Sequence, residues 1–240
     1  MNSGQRTVTS NEIAAGRAQL LEQRAIAILP RDFRIAMLDA CRWMHVVPGD
    51  VVTRVGDPGD GIFGVATGAI GMLTALGIPD LTIGHIFGPG DWFGIDPIFT
   101  RLPRNATMSV RLPGLLAHLP MAAIERLGSE YPEGWRHFGV LAIRGAQAAT
   151  NLAADLMIPD SRRRCLATLL RLAGARFATP ERGPLLAPVN QLELGAIANL
   201  SRNSVNAILR RAAQDGLIDI GYGTITLRDA DALRWIVDEA

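Results

Sequence analysis

The sequence predicts an α+β protein in which an antiparallel β domain, a long helix and a helix-turn-helix follow one another. Three observations support this order. Short apolar runs alternate with turn signals from about residue 45 to 120, which is typical of an antiparallel sandwich or barrel. Apolar and small residues then recur at steps of three and four over 132–157. Finally, two short capped helices meet at a bend within 188–213.

The charges of this otherwise ordinary globular composition are distributed unevenly. Of 240 residues, 48% are hydrophobic and 20% are charged, and all 24 basic residues are arginine. Residues 1–160 carry 13 arginines and 15 acidic residues, whereas 161–211 carry nine arginines and two acidic residues, a net charge of +7. A neutral first part and a basic second part are typical of a sensor joined to a DNA-binding domain. An ordinary solvated helical surface would show the same asymmetry.

Several other classes of protein do not fit the sequence. Cys41 and Cys165 stand far apart, without the spacing of a zinc or iron–sulfur site, and we interpret both as buried residues in a reducing compartment. The N-terminus lacks the apolar core of a signal peptide. The uncharged stretch 61–79 contains five glycines, which suits strands and turns rather than a membrane helix. We therefore expect a cytoplasmic protein with no metal and no membrane partner.

Helical spacing precedes the β-rich part. It predicts a helix over 11–29, capped by Asn11, and a second helix from Arg31 to Cys41. Turn signals such as Pro113-Gly114 then separate short strands, and a short helix is expected over 121–128. The predicted strands are Val51–Val55, Ile62–Ala66, Ala69–Ala75, Leu81–Phe87, Thr107–Arg111 and Leu115–Leu119.

The helix predicted over 132–157 is more apolar than one domain needs on one face. Its middle is rich in Gly and Ala, with few charges on either flank. It could pack wholly inside the chain, but pairing with the same helix of a second copy accounts better for this surface. Pro159 ends the helix, Asp160 or Ser161 can cap the next one, and we place a domain boundary here.

The segment Val189–Ala213, VNQLELGAIANLSRNSVNAILRRAA, predicts two helices joined by a tight bend. Asn190 can cap the first helix while Glu193 reaches back to it, Asn199 tolerates the bend, and Ser201 can cap the second helix. The side chains expected to face inward are Leu192, Leu194, Ile197, Ala198, Val205, Ile208, Leu209 and Ala212.

The second helix of this pair then exposes side chains that suit DNA. Arg202, Asn203, Ser204 and Asn206 lie on its first turns, where Arg can bond guanine with two donors and Asn can bond adenine. A helix N-terminus also favours phosphate. Arg210 lies farther along and is better placed for the DNA backbone. The alternative is an ordinary αα-hairpin with a polar outer face.

These residues resemble the Crp/Fnr superfamily of bacterial transcription regulators, the family of the cyclic AMP receptor protein. The most specific part is E-L-G-x-I-A-x-L-S-R-x-S-V-x-x-I-L-R over 193–210, followed by D-G-L-I over 215–218 and G-x-I-T-L over 223–227. The resemblance implies a cyclic-nucleotide-binding jelly roll over 45–120, a dimerisation helix over 132–157, a hinge at Asp160 and a winged helix-turn-helix.

The resemblance also implies roles for residues in the helix-turn-helix. Arg202 falls where the family has a base-reading arginine, and Ser201 and Ser204 fall at phosphate-contacting and capping positions. Asn203 stands where the best-known members have Glu, and Ala207 replaces a further base-contacting arginine. A different operator sequence is therefore expected. RNA polymerase is a further candidate partner.

The effector pocket departs further from the family pattern. Members that bind cyclic AMP have F-G-E, followed about ten residues later by Arg-Ser-Ala or Arg-Thr-Ala; here Phe93-Gly94-Ile95 and Arg104-Asn105-Ala106 take these places. Ile95 cannot accept a hydrogen bond from a ribose, although Arg104, beside Gly94 and Asn105, could still meet an anion. A cyclic nucleotide is therefore disfavoured as effector, no cofactor is expected, and the small-molecule effector stays open.

The sequence as a whole predicts a homodimeric, sequence-specific DNA-binding transcription regulator that is controlled through its N-terminal domain. The expected domains are an effector-sensing β-roll over 1–130, the dimerisation helix over 131–158 and the winged helix-turn-helix over 159–240. The alternative is a ligand-binding module for a cyclic nucleotide or another small anion, with DNA binding secondary. No catalytic arrangement of side chains indicates an enzyme.

Overall fold

The computed structural model describes residues 7–74, 82–177 and 185–239. Their contacts divide the described residues into two compact units. The first unit contains residues 7–74 and 87–147, and the second contains 82–86, 148–177 and 185–239. None of the helices in these ranges is both long and apolar enough to cross a membrane.

The first unit begins with three helices, α1 (Ser10–Leu21), α2 (Arg24–Ala27) and α3 (Arg31–Asp39). The helix predicted over 11–29 is therefore split in two. The predicted cap at Asn11 is wrong, because Thr9 takes this role. The Thr9 Oγ1 accepts a hydrogen bond from the Glu12 N–H at 3.3 Å, and the Glu12 carboxylate accepts one from the Thr9 N–H at 2.9 Å. This reciprocal capping box fixes the start of α1.

An antiparallel sheet follows, as predicted. Its longer strands in the first unit lie in the order β1, β6, β3, while β2 pairs with β6 and β5 with β3. The helix α4 (Asp96–Thr100) precedes β6, and α5 (Met121–Glu130) follows it. The strands are β1 (Arg42–Val46), β2 (Val51–Thr53), β3 (Gly61–Thr74), β4 (Thr82–Phe87), β5 (Trp92–Phe93) and β6 (Thr107–Pro120).

The predicted turn at Pro113-Gly114 does not form, because β6 continues through these two residues. The runs predicted as separate strands over 107–111 and 115–119 are one strand, and so are 62–66 and the described part of 69–75. The register of β3 against β6 shifts near Gly68, whose φ is +88°. A Cβ on Gly114 would lie 2.0 Å from the Thr67 carbonyl oxygen. Two facing glycines thus permit a bulge that bends the strands without ending them. The ends of two predicted strands, Ala75 and Leu81, lie outside the described residues.

The side chains of the sheet alternate between two apolar clusters. Ile62 and Leu115 face a cluster that includes Phe33 of α3, whereas the neighbouring Phe63 and Leu116 face a second cluster. This alternation follows from the two-residue period of a strand. Burying each such side chain contributes about 1.5–3 kcal/mol, so both faces help to stabilise the sheet. The candidate effector residues lie between two of its strands, β5 and β6.

Asp91 in the first unit gives a prediction for the pH dependence of stability. It accepts a hydrogen bond from the Gly88 N–H at 2.8 Å. Burial raises the pKa of Asp91 from 3.8 to about 6, against the opposing effect of that hydrogen bond. As the pH rises, the unfolded chain loses this proton before the folded chain does. The free energy of unfolding should therefore fall between about pH 4 and 6 and then level off.

The variant Asp91→Asn keeps an acceptor for Gly88 and carries no proton to lose. We expect its thermal unfolding temperature, followed by circular dichroism, to lack this fall and to exceed that of the unchanged protein above about pH 6. An unaltered pH profile in the variant would show that Asp91 does not cause it.

The second unit contains the predicted helix pair and a small antiparallel sheet. The long helix α6 (Gly134–Leu156) is followed by α7 (Ser161–Leu172), which is capped by Asp160 as expected. The helix pair is α8 (Gln191–Ala198) and α9 (Arg202–Gln214). Strands β7 (Leu185–Ala187), β9 (Ile225–Leu227) and β8 (Ile218–Ile220) form the sheet in that order, and α10 (Ala230–Glu239) ends the chain. Strand β7 and helix α10 have no counterpart among the elements predicted from the sequence.

A buried ion cluster holds the last turn of α6 against α7. Asp155 is 2% exposed and accepts from the Arg171 Nε at 2.9 Å and from the Arg176 Nε at 3.4 Å. Arg176 also pairs with Asp238 of α10 at 2.8 Å. Because a buried charge that lost its partner would be costly, this cluster restrains the end of α6.

Candidate nucleic-acid interface

The caps of α8 and α9 are formed by the residues that the sequence indicated. The Asn190 Oδ1 accepts from the Glu193 N–H at 2.9 Å, and the Glu193 carboxylate accepts from the Asn190 N–H at 3.0 Å. The Ser201 Oγ accepts from the Ser204 N–H at 3.1 Å. These bonds satisfy backbone donors that a helix N-terminus leaves unpaired, and they fix where each helix begins.

The turn between α8 and α9 is tight and closely packed. Asn199 has the left-handed conformation that was expected, with φ of 52°. The Leu200 N–H donates to the Gly195 carbonyl oxygen at 2.8 Å. A Cβ on Gly195 would lie 2.9 Å from the Leu200 carbonyl oxygen, so this close approach favours glycine there. The hydrogen bond and the close approach therefore restrain the position of α9 relative to α8.

The inward faces of the two helices match the prediction except at one position. Leu194 and Ile197 of α8 are buried, as are Val205 and Leu209 of α9. Leu192 was expected to face inward and is 67% exposed, so that prediction is wrong. It lies two positions before Leu194, about 200° around the helix, so both cannot face the core.

The predicted DNA-contacting residues lie together at the start of α9. Ser201, Arg202 and Asn203 are exposed, while Ser204 and Asn206 are half-buried. Arg210 is exposed two turns farther along. Within the described ranges no acceptor engages the side chains of Arg202 or Arg210, whereas the Arg211 Nε donates to Asp215 at 3.2 Å. The N-terminal turn thus presents cationic and amide donors to solvent.

The hairpin of β8 and β9 follows α9 directly. The Gly221 N–H donates to the Thr224 carbonyl oxygen at 2.8 Å, which closes its tip, and the side chain of Tyr222 projects fully into solvent. Arg228 donates to Asp219 across the hairpin. A helix pair followed by such a hairpin is a winged helix-turn-helix.

The candidate effector residues lie in the first unit, where Arg104 is held by internal acceptors. Its side chain is 4% exposed. The Arg104 Nη2 donates to the Asp60 Oδ1 at 2.6 Å and to the Gly61 carbonyl oxygen at 2.8 Å, and its Nη1 donates to the Gly94 carbonyl oxygen at 3.4 Å. Gly94 has φ of +80°, and a Cβ there would lie 2.5 Å from the Arg104 Nη1. Gly94 and Arg104 are therefore in contact.

The surroundings of Arg104 include three residues that are absent from the predicted effector site: Asp60, Phe63 and His118. Its guanidinium lies 5.5 Å from the centre of the Phe63 ring, on which His118 also stacks at 4.5 Å. Burial lowers the pKa of His118, although Asp60 nearby opposes this shift. Asn105 is exposed and donates to the Asp96 carboxylate at 3.4 Å, away from the buried guanidinium.

An apolar groove lies along the part of α6 that belongs to the first unit. It encloses about 560 Å³ and is lined mainly by Ile28, Phe99, Val140 and Ile143. Beyond it, residues 145–150 of α6 are all exposed, on every side of the helix. No charged residue occurs from 145 to 154. An uncharged helical segment that is exposed to solvent on every side is unusual in a globular protein.

Metal and thiol chemistry find no support among the residues that the structure describes. In those ranges no three His, Cys, Asp or Glu side chains gather to hold a metal ion. Cys165 is buried as predicted, whereas Cys41 is half-buried. Both are free thiols, and burial raises the pKa of each to about 12. Such thiols remain protonated and unreactive at neutral pH.

Two family models match the chain over separate segments. The model for the cyclic nucleotide-binding domain matches residues 43–131, and the model for the Crp-like helix-turn-helix domain matches residues 163–236. The first match covers the sheet with Arg104, and the second covers α8, α9 and the hairpin.

Several known proteins are similar to this chain over most of their length. The "Cyclic AMP receptor protein" of Thermus thermophilus is 29% identical over 194 residues, covering 78% of this chain and 84% of that protein. The "CRP-like cAMP-activated global transcriptional regulator" of Mycobacterium tuberculosis is 28% identical, covering 91% and 95%. Among solved structures, FixK2 from Bradyrhizobium japonicum has a TM-score of 0.70 at 18% identity, covering 83% of this chain and 98% of that one, which is a likeness of fold.

Proposed function

We propose that this chain, a transcription regulator of the Crp/Fnr type rather than an enzyme, reads a near-palindromic DNA site as a homodimer. The observation that carries the proposal is the exposed N-terminal turn of α9, with Arg202 at its first position. Two such helices would enter successive major grooves about 34 Å apart.

Each residue of this turn has a role that suits its chemistry. Arg202 can donate two hydrogen bonds to guanine, and Asn203 and Asn206 can pair with adenine. Ser201 and Ser204 lie at the positive end of the helix dipole, where they suit phosphate. We assign Arg210 to the DNA backbone, because it lies two turns from the helix start.

Binding of genomic fragments, followed by footprinting at moderate salt, tests the proposal. We expect a small set of fragments to be protected over two half-sites spaced by one helical turn, with affinity that falls steeply as salt rises. Equal binding of all fragments, or none, would contradict sequence-specific recognition. Working at more than one salt concentration separates specific from general electrostatic binding.

We propose that the two copies pair through α6. Gly139, Ile143, Ala146, Thr150 and Ala153 recur at alternating steps of four and three, which is the spacing of a coiled-coil seam. Ile143 is 61% exposed, and the three residues after it in this series are exposed as well. A partner helix would cover the uncharged stretch 145–154 that otherwise faces water.

A regulator of this kind works in the cytoplasm, beside the chromosomal DNA, and we propose RNA polymerase as its further protein partner. The two free cysteines agree with a reducing compartment.

A second candidate function is the binding of a small anion by the first unit. One observation favours it: the Arg104 Nε is buried and lacks an acceptor among the described residues. Two observations argue against a cyclic nucleotide. Ile95 offers the ribose no hydrogen-bond acceptor, and the carboxylate of Asp60 already neutralises Arg104. We therefore propose that control through this unit does not use a cyclic nucleotide.

Calorimetry with cyclic AMP and cyclic GMP checks this point. We expect neither nucleotide to bind the unchanged protein with a dissociation constant below about 1 mM, the range in which a few weak contacts remain. Binding that is lost in Arg104→Ala and kept in Arg101→Ala, a charge-matched change at an exposed neighbour, would overturn the proposal in favour of the ligand-binding alternative.

A further inference from the structure

We propose that Arg164 is a positioning residue for DNA binding, which sets the orientation of the helix-turn-helix against the end of α6. The inference rests on the proposed function, since it concerns how two recognition helices are presented to one site. It starts from a single side chain in the second unit whose hydrogen bonds join two segments that are distant in sequence.

The guanidinium of Arg164 lies between the end of α6 and the end of α8. Its Nη1 donates to the Ile158 carbonyl oxygen at 2.6 Å and to the Pro159 carbonyl oxygen at 3.3 Å. Its Nε donates to the Ala198 carbonyl oxygen at 3.0 Å. The side chain thus bridges the linker that follows α6 and the last residue of α8, from a position on the first turn of α7.

These acceptors explain why an arginine is suited to the position. The carbonyl groups at a helix C-terminus have no partner within the helix and carry the negative end of its dipole. Ala198 ends α8, and Ile158 lies just beyond the end of α6. A planar guanidinium can bond both at once in fixed directions, whereas a lysine ammonium acts as a single point charge.

The parts joined by Arg164 are themselves restrained. Asp155 and Arg171 hold the last turn of α6 against α7. The hydrogen bond from Leu200 to Gly195 closes the turn between α8 and α9. Ala198 is only four positions before Arg202, so the place of its carbonyl group limits where the recognition helix can begin. A change at Arg164 should therefore alter the direction of α9 more than its internal structure.

The adjacent Arg162 offers a matched control. Its side chain is 47% exposed and lies 4.0 Å from Asp215, so its replacement removes the same charge from the same turn of α7 without breaking the bridge. Arg164→Met keeps much of the length of the side chain and removes every donor. Arg164→Lys keeps the charge and restores one donor group.

The experiment uses the 240-residue chain and an operator recovered from the genomic fragments. Affinity is measured on DNA with both half-sites at the recovered spacing, with the spacing changed by one base pair in each direction, and with a single half-site. Thermal unfolding is measured for every variant.

For Arg164→Met we expect roughly a tenfold or larger loss of affinity at the recovered spacing, about 1.4 kcal/mol or more. The preference for that spacing should shrink, while single half-site binding stays within about twofold. Arg162→Met should keep the preference, and Arg164→Lys should recover part of it. If Arg164→Met does not fold, the reduced preference of Arg164→Lys carries the test.

Two results would overturn the inference. One is an unchanged spacing preference in both Arg164 variants. The other is an equal loss on full sites and single half-sites, which would indicate a general role in stability or charge. Failure of the proposed function looks different, because the unchanged protein would then protect no operator at all, and the inference would fall with it.

Discussion

Arg202→Ala should lose sequence-specific protection of the operator while it keeps general affinity for DNA. Arg202 stands exposed at the first position of α9, and no acceptor engages it within the described ranges. A bidentate arginine–guanine contact is worth about 1–3 kcal/mol of discrimination. A dimer makes the contact twice, so affinity for the operator should fall roughly 30-fold or more. Footprinting and titration of the recovered fragments measure this loss.

Two further variants separate base reading from charge. Arg211→Ala removes a cation on the same helix that already pairs with Asp215, so we expect a small, uniform loss on all DNA and little change in specificity. Arg202→Lys keeps the charge but not the two-donor geometry. It should therefore still bind phosphate but distinguish poorly between the operator and other DNA sequences. Unchanged affinity and footprint in Arg202→Ala would contradict the role given to this residue.

The features of the interface that the sequence predicted correctly depend on neighbours along the chain. The caps at Asn190 and Ser201 each use a backbone N–H three positions ahead, and Asp160 caps α7 in the same way. The left-handed turn at Asn199 depends on the conformational preference of one residue. Such features are encoded within a few residues, so patterns and propensities are enough to find them.

The features that escaped prediction depend on contacts between distant segments. Nothing local to Pro113-Gly114 shows that β6 continues, because the bulge needs Gly68 on the other strand. The internal partner of Arg104 is Asp60, 44 positions away. The acceptors of Arg164 are backbone carbonyl groups, which every residue has. Pairing of this kind is decided by tertiary structure, and the residue types leave no signature for it.

Asn11 and Leu192 show a third kind of error, in which two local solutions compete. Thr9 and Asn11 can both cap a helix, and the presence of Glu12 three positions after Thr9 decides the matter through the reciprocal capping box. Leu192 is apolar, yet Leu194 and Ile197 already fill the inner face of α8. The spacing of apolar residues predicts that a helix has a buried face. The capping residue decides where the helix begins, and the packing decides which of its apolar side chains face the core.

Ala146→Glu should convert the protein from a dimer to a monomer. Ala146 is exposed on the proposed seam of α6, within the uncharged stretch 145–154. In a symmetric pair the two introduced carboxylates would lie close together in an apolar interface, where like charges cost several kcal/mol. Glu is a good helix former, so α6 itself should remain intact. We expect the dimer dissociation constant to rise more than about a hundredfold. Analytical ultracentrifugation measures it.

Ala148→Glu is the matched control, because it makes the same change at another exposed alanine about 200° around the helix. It should leave the dimer intact, and a monomer in both variants would show that α6 tolerates no charge, wherever the seam runs. Affinity for the full operator should depend on dimerisation. A monomer keeps one recognition helix and should bind a single half-site as before. It loses the second, linked contact that raises the affinity for the full site. If the Ala146→Glu variant is a monomer and still binds the full site with unchanged affinity, the proposal that two recognition helices bind one operator is refuted. If the variant remains a dimer, only the proposed seam is refuted.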